Sequence, residues 1–222
     1  MSIRTEPFKN RHEAGRELAE ALQEANVADS VVLAIPRGGV VVGYEVATAI
    51  GLPLDVIVPR KLRAPYQEEL AIGAVASWGD HDSLIDEQSV RALRVSPEYI
   101  NNEIDHQLAE VNRRLVAYRG TTNPPEIAGR TVLLIDDGIA TGYTTRAAAV
   151  ALRNLHASRI ILAVPVGPAD SLAILREYVD EIVCLKTPSP FMAVGYWYYD
   201  FQQVSDEEVI DLMEKARDQK AA

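Results

Sequence analysis

The chain is 222 residues long, 48% hydrophobic and 24% charged, a length and balance that predict one globular domain with a modest appendage. Its formal net charge of −10 excludes non-specific nucleic-acid binding, which needs a basic face, and no apolar run approaches the roughly 20 residues that span a bilayer. The single Cys184 cannot close an internal disulfide, and the charged opening MSIRTEPFKNRHEAGRE holds no apolar signal core, so a reducing, cytoplasmic location is expected.

In chain order, residues 11–26 predict a helix with Leu18, Leu22 and Ala25 on one face. Val31–Ile35 is a continuous apolar run, the mark of a strand buried on both faces. Pro36-Arg37-Gly38-Gly39 breaks it, and Val40–Ile50 predicts a helix stopped by Gly51 and Pro53. Leu54–Val58 predicts a second strand, the polar stretch from Pro59 to Glu69 a loop, and Leu70–Ser77 a strand or hairpin. Ser96-Pro97-Glu98 is a helix start: an N-cap serine, proline in the first turn, then an acid at the positive dipole end. Ile100, Ile104, Leu108, Val111, Leu115 and Tyr118 follow at helical steps, as far as Arg119-Gly120.

After a loop from Thr121 to Gly129, Thr131–Ile135 predicts a buried strand and Gly142–Leu155 a helix. Arg159–Val164, Ala169–Tyr178 and Glu181–Leu185 predict a strand, a helix and a strand. Ser205 and Glu208 make a capping box for a last helix. This alternation predicts an α/β fold with a mainly parallel, doubly wound, Rossmann-like sheet. Such sheets bind ligands at the carboxyl ends of their strands.

One segment carries chemistry. In Val132–Thr145, VLLIDDGIATGYTT, four apolar residues lead into Asp136 and Asp137 at that ligand edge. Adjacent carboxylates are costly unless a cation or hydroxyl donors meet them. Gly138, Ala140, Thr141, Gly142, Tyr143 and Thr144 then lead into a helix. Small residues admit close backbone approach, and helix N-terminal amides with threonine hydroxyls donate to phosphate oxygens. The string suits a ligand with vicinal hydroxyls at one end and a phosphate at the other, the form of a ribose 5-phosphate. In a chain this acidic, a phosphate also needs its cations gathered locally.

At this string the sequence resembles the type I phosphoribosyltransferases, which use 5-phosphoribosyl-1-diphosphate (PRPP). The resemblance implies that Asp136 and Asp137 hold the ribose hydroxyls, partly through the hydration shell of a magnesium ion (Mg2+), and that residues 140–144 cradle the 5-phosphate. It extends to Pro36-Arg37-Gly38-Gly39, the family's diphosphate loop, where Arg37 and the glycine amides would bind. It extends also to Arg60-Lys61-Leu62-Arg63, where the family carries a mobile catalytic loop. That basic cluster also reads as a solvated charge run.

Phe191–Phe201 resembles the segment that purine phosphoribosyltransferases place around the base, with Phe191, Tyr196 and Trp197 as candidate acceptor contacts. Its spacing departs by one residue before Val194-Gly195 and again before Asp200. A hydrophobic minicore or a homodimer contact fits it as well. Glu69-Leu70-Ala71-Ile72-Gly73-Ala74-Val75 and the aromatic tail point to a branch of that family without an assigned acceptor. On this reading residues 1–222 form one domain, with a core at about 11–80 and 125–186 and a small helical and aromatic hood at about 88–120 and 187–204.

The expected function is phosphoribosyl transfer to a nitrogen acceptor such as a nucleobase, with Arg60, Lys61, Asp136 and Asp137 as catalytic residues. The alternative is a non-catalytic nucleotide or PRPP sensor. P-loop, dinucleotide-fingerprint and serine-hydrolase motifs are absent, and His12, His81, His106 and His156 lack metal-ligand spacing.

Overall fold

The computed structural model describes residues 6–23, 25, 27, 29–78 and 83–221, with side chains left aside at 68, 69, 220 and 221. His81 and the Glu69 side chain therefore lie outside the described residues. Helix α1 (Arg11–Leu22) begins at Asn10, whose side chain accepts the Glu13 N–H, and it buries Leu18 and Leu22. Strand β1 (Val31–Ala34), helix α2 (Gly38–Ile50) and strand β2 (Leu54–Val56) follow. The expected helix at 40–50 thus reaches back over both glycines, which stand in its first turn.

Strands β6 (Thr131–Ile135), β7 (Arg159–Val166) and β8 (Glu181–Lys186) alternate with helices α5 (Tyr143–Asn154) and α6 (Ala169–Leu175). The main sheet is five-stranded in the order β2-β1-β6-β7-β8, and every pairing in it is parallel. Its continuous apolar strands face two cores. Val31, Leu33, Val132 and Leu134 meet Ala148 and Leu152 of α5. Val32, Leu133, Ile161 and Ala163 meet Leu18, Leu22, Val42 and Val46 of α1 and α2. The chain winds outward from β1 to β2 on one side and from β6 through β7 to β8 on the other. The boundary between β1 and β6 is therefore the switch point where such sheets open a crevice.

Between these halves the structure departs from the expected loop. Residues 60–69 are not a polar loop: Arg60–Ala64 is strand β3, paired antiparallel with β4 (Gln67–Val75), which pairs with the short β5 (Leu84–Ile85). The cause is alternation. Leu62 and Ala64 are buried in a small core while Lys61 is exposed and Arg60 and Arg63 are half-buried, so three cations hide a two-residue period. The expected mobile loop is a hairpin whose turn carries the fully exposed Tyr66.

Helix α3 (Glu87–Leu93) is capped by Asp86. Helix α4 (Pro97–Arg119) runs from the Ser96 cap to Gly120 as expected. Its Ile104 packs with Leu62 and Ile72 of the small sheet. Val111, Leu115 and Tyr118 pack with Val56, Val209 and Met213, the last two from helix α7 (Asp206–Ala221). The aromatic segment, with a single 3-10 turn at Val194–Trp197, packs elsewhere, against Phe8 and Val166. Ser205 caps α7 by accepting the Glu208 N–H at 3.1 Å.

Candidate active site

The carboxyl ends of β1 and β6 touch through Gly38 and Gly39. A Cβ on Gly39 would stand 2.9 Å from Asp136 Cα and 3.0 Å from the Ile135 carbonyl oxygen, and one on Gly38 would stand 1.9 Å from Asp137 Oδ2. Both glycines are needed for close approach rather than for turning. Gly38→Ala is therefore expected to displace the Asp137 carboxylate and destabilise the fold by about 1–3 kcal/mol, measured by chemical denaturation. An unchanged midpoint would contradict this contact.

Asp136 Oδ1 accepts the Asp137 N–H at 2.8 Å. Burial, reinforced by the neighbouring Asp137 charge, raises the Asp136 carboxyl well above the usual carboxylate range. Asp137 is met by a cation from far along the chain. Arg11 Nε donates to Asp137 Oδ2 at 2.7 Å, with the two side chains 11% and 16% exposed. The same guanidinium donates to the Gln202 carbonyl at 2.8 Å and lies 3.8 Å from the Phe201 ring centre. The Tyr198 hydroxyl donates to the Asp137 carbonyl at 2.5 Å, and its ring is buried beside Phe8.

Beyond the acids, Gly138 lies against Val194 and Val166. The Ala140 carbonyl accepts the Ser171 hydroxyl at 2.7 Å. Gly142, at φ 76°, caps α5, so the amides of Tyr143 and Thr144 open a helix with no intrahelical partner. Thr141 is exposed, and Thr144 is half-buried at the mouth of a cleft. The Tyr143 side chain turns away and donates its hydroxyl to Asp86 Oδ2 at 3.0 Å, so only its backbone faces this corner.

That cleft has a volume of about 360 Å³ and is lined by Pro36, Pro59, Ala71, Thr144 and four cations, Arg60, Lys61, Arg63 and Arg114. Arg60 Nε donates to Gln107 at 2.9 Å and Arg114 Nε to Glu110 at 2.7 Å. Burial and the adjacent Arg114 guanidinium lower the Arg60 pKa from its ordinary value. Arginine does not surrender its proton in a protein, so this crowding makes the cleft welcoming to an anion. Arg37 does not line it. Its guanidinium is 3.5 Å from Asp206 at the start of α7, and its peptide bond to Pro36 is cis.

The structure thus brings together Gly38, Gly39, Asp136, Asp137 and Gly138, with Thr144 and the basic cluster on the cleft side. Of the candidate acceptor contacts, Phe191 is half-buried in the cluster with Phe8, Trp197 is half-buried, and Tyr196 is 70% exposed. Sequence reasoning missed three residues. Arg11 opens a helix and looks solvated. Tyr198 is one of several aromatics in a row. Arg114 flanks the apolar stripe of Val111 and Leu115, the one signal that could have marked it.

No group of three or more His, Cys, Asp or Glu side chains able to hold a metal ion occurs among the described residues. One of the two acids is already ion-paired. The donor set therefore fits a magnesium ion that arrives on a ligand's phosphates and keeps most of its water, rather than a resident ion caged by protein.

Fold and site together define an α/β protein whose acid pair lies at the switch between β1 and β6. The family model for the phosphoribosyl transferase domain matches residues 6–200, and the chain belongs to that family. Proteins of two Mycobacterium tuberculosis strains, CDC 1551 and H37Rv, each provisionally named a phosphoribosyl transferase, are 41% identical over 209 residues, covering 94% of this chain. The chain spans about half, 47%, of their length. The crystal structure of TT1426 from Thermus thermophilus is similar at 36% identity and a TM-score of 0.80, covering 94% of this chain and 98% of that one. No helix among the described residues is long and apolar enough to cross a membrane.

Proposed function

We propose that this site binds 5-phosphoribosyl-1-diphosphate and transfers its phosphoribosyl group to a nitrogen acceptor, a nucleobase, with release of diphosphate. The observation that carries the reading is convergence. An acid pair, a glycine-capped helix start with Thr144, and a cleft with four cations surround one switch point in a chain of net charge −10.

In this reading Asp136 accepts hydrogen bonds from the ribose hydroxyls, and the amides and hydroxyls of residues 140–144 hold the 5-phosphate. Arg60, Lys61 and Arg114 neutralise the diphosphate as the bond from C1 to its oxygen breaks. The acceptor nitrogen forms the new bond to C1 and sheds its proton to solvent. Bond breaking runs ahead, so C1 carries positive charge, and the protein contributes positioning and electrostatics. Magnesium would arrive on the diphosphate, with Asp136 the acid able to reach it through water, and would spread the leaving group's charge. The β3-β4 hairpin walls this end and excludes water that would otherwise trap the cation at C1.

The test is diphosphate release from PRPP with magnesium, screened against nucleobases and small amines. Acceptor-dependent release supports the proposal. A ligand-dependent rise in melting temperature with no release under any acceptor would replace it with the sensing role.

A further inference from the structure

We propose that Arg11 is a built-in counter-ion of the acid pair. It is a positioning residue that commits Asp137 to the protein, leaves Asp136 to meet the ligand's diol, and makes the ribose-phosphate end of the site independent of divalent metal. The inference rests on the ribose-phosphate reading above and concerns a residue that reading does not use.

Two neighbouring carboxylates at a buried sheet edge require a cation. In this fold the chain supplies one. The Arg11 guanidinium is fixed from three directions, by Asp137 Oδ2 at 2.7 Å, by the Gln202 carbonyl at 2.8 Å and by the Phe201 ring at 3.8 Å, and Gly38 leaves room for it, since a Cβ there would fall 2.7 Å from Nε. Arginine stays charged at any working pH. A metal ion seeking Asp137 would meet the Arg11 guanidinium, a like charge held 2.7 Å from Oδ2 in a largely buried corner, which is strongly unfavourable.

Asp136 differs. It accepts the Asp137 N–H and takes part in no ion pair among the described residues. It lies against Gly39 in the first turn of α2, beside the cleft's Pro36 wall. The acid pair therefore divides its work: Asp137 anchors α1 and the 198–202 segment to the ligand edge, and Asp136 faces the ligand. A divalent ion is then needed only where diphosphate is present, at the Arg60 and Arg114 end.

The test is calorimetric titration of ribose 5-phosphate, which lacks the diphosphate, into wild type, Arg11→Met and Arg11→Lys, in chelator and in millimolar magnesium. Wild-type affinity is expected to change by less than about twofold between the two conditions, because the resident cation leaves no work for the metal. Arg11→Met is expected to bind at least about tenfold more weakly in chelator and to recover in magnesium, since a mobile cation can replace the missing one. Arg11→Lys is expected to keep most of the affinity in chelator, within about fivefold, because it restores charge without the fork. A purely structural role would not make affinity metal-dependent in one variant alone.

Wild-type binding that strengthens tenfold or more with magnesium would overturn the inference while sparing the ribose-phosphate reading. Arg11→Met that binds like wild type under both conditions would do the same. If the Met variant does not fold, the wild-type and Lys titrations decide the question. No wild-type binding in either condition overturns both readings.

Discussion

Asp137→Asn is expected to cost about 3 kcal/mol of folding stability, because it strips the partner from a largely buried arginine. Asp136→Asn is expected to stabilise the protein at neutral pH. The two neighbours have opposite electrostatic positions. Asp137 is compensated by Arg11 at 2.7 Å, so neutralising it strands a charge. Asp136 accepts the Asp137 N–H and shares a side-chain hydrogen bond with Asp137, and burial, ahead of the Asp137 charge, raises its pKa. A carboxyl whose folded pKa is raised binds more protons in the folded state, so its contribution to stability falls as pH rises from the unfolded value through the folded one. The gain of Asp136→Asn over wild type should therefore grow as pH rises from the ordinary carboxylate range through the raised folded pKa, and vanish below that range. Denaturant titrations of the three proteins at several pH values check this. Equal stability losses in both variants would contradict the division between the acids. Under the proposed function, Asp136→Asn should also lower donor turnover by about 10²–10³-fold despite its firmer fold.

The second large effect concerns the cleft. The double variant Arg60→Met with Arg114→Met is expected to lower kcat/KM for the PRPP donor by about 10³-fold, some 4 kcal/mol of transition-state stabilisation. Ribose 5-phosphate affinity should stay within about threefold of wild type, because that ligand does not reach the diphosphate end. Stability should change little: each arginine loses a hydrogen bond, to Gln107 or Glu110, but two crowded cations also disappear. Steady-state kinetics set against calorimetry reads the split. Parallel loss of both quantities would mean that the cations support the whole site rather than one end of it.

Much of this was legible in the sequence because it is local. Four buried residues followed by Asp136 and Asp137 and a glycine-capped helix occupy one short stretch, and periodicity, capping and small residues report on such neighbours directly. The break after β1 and the Ser96 cap of α4 were legible for the same reason.

What escaped was long-range. Arg11 meets Asp137 from 126 residues away, and spacing carries no trace of that pairing. Arg114 faces the cleft only because α4 spans from the small sheet to β2 and α7, a docking angle that periodicity cannot give. The strand at Arg60–Ala64 was hidden by its own charge. Three of its five residues are cations, and polarity outweighed the buried Leu62 and Ala64. Arg37 shows the converse. Its place in the glycine loop suggested an anion ligand, and in the fold its side chain turns to Asp206.

The central claim is that the β6 edge grips a ribose phosphate, and the most direct measurement is a crystal structure with a nucleoside 5′-monophosphate. The account predicts phosphate oxygens on the amides of residues 141–144 and the ribose diol at Asp136, with Arg11 still paired to Asp137. A nucleotide bound elsewhere while that corner holds only water would contradict it.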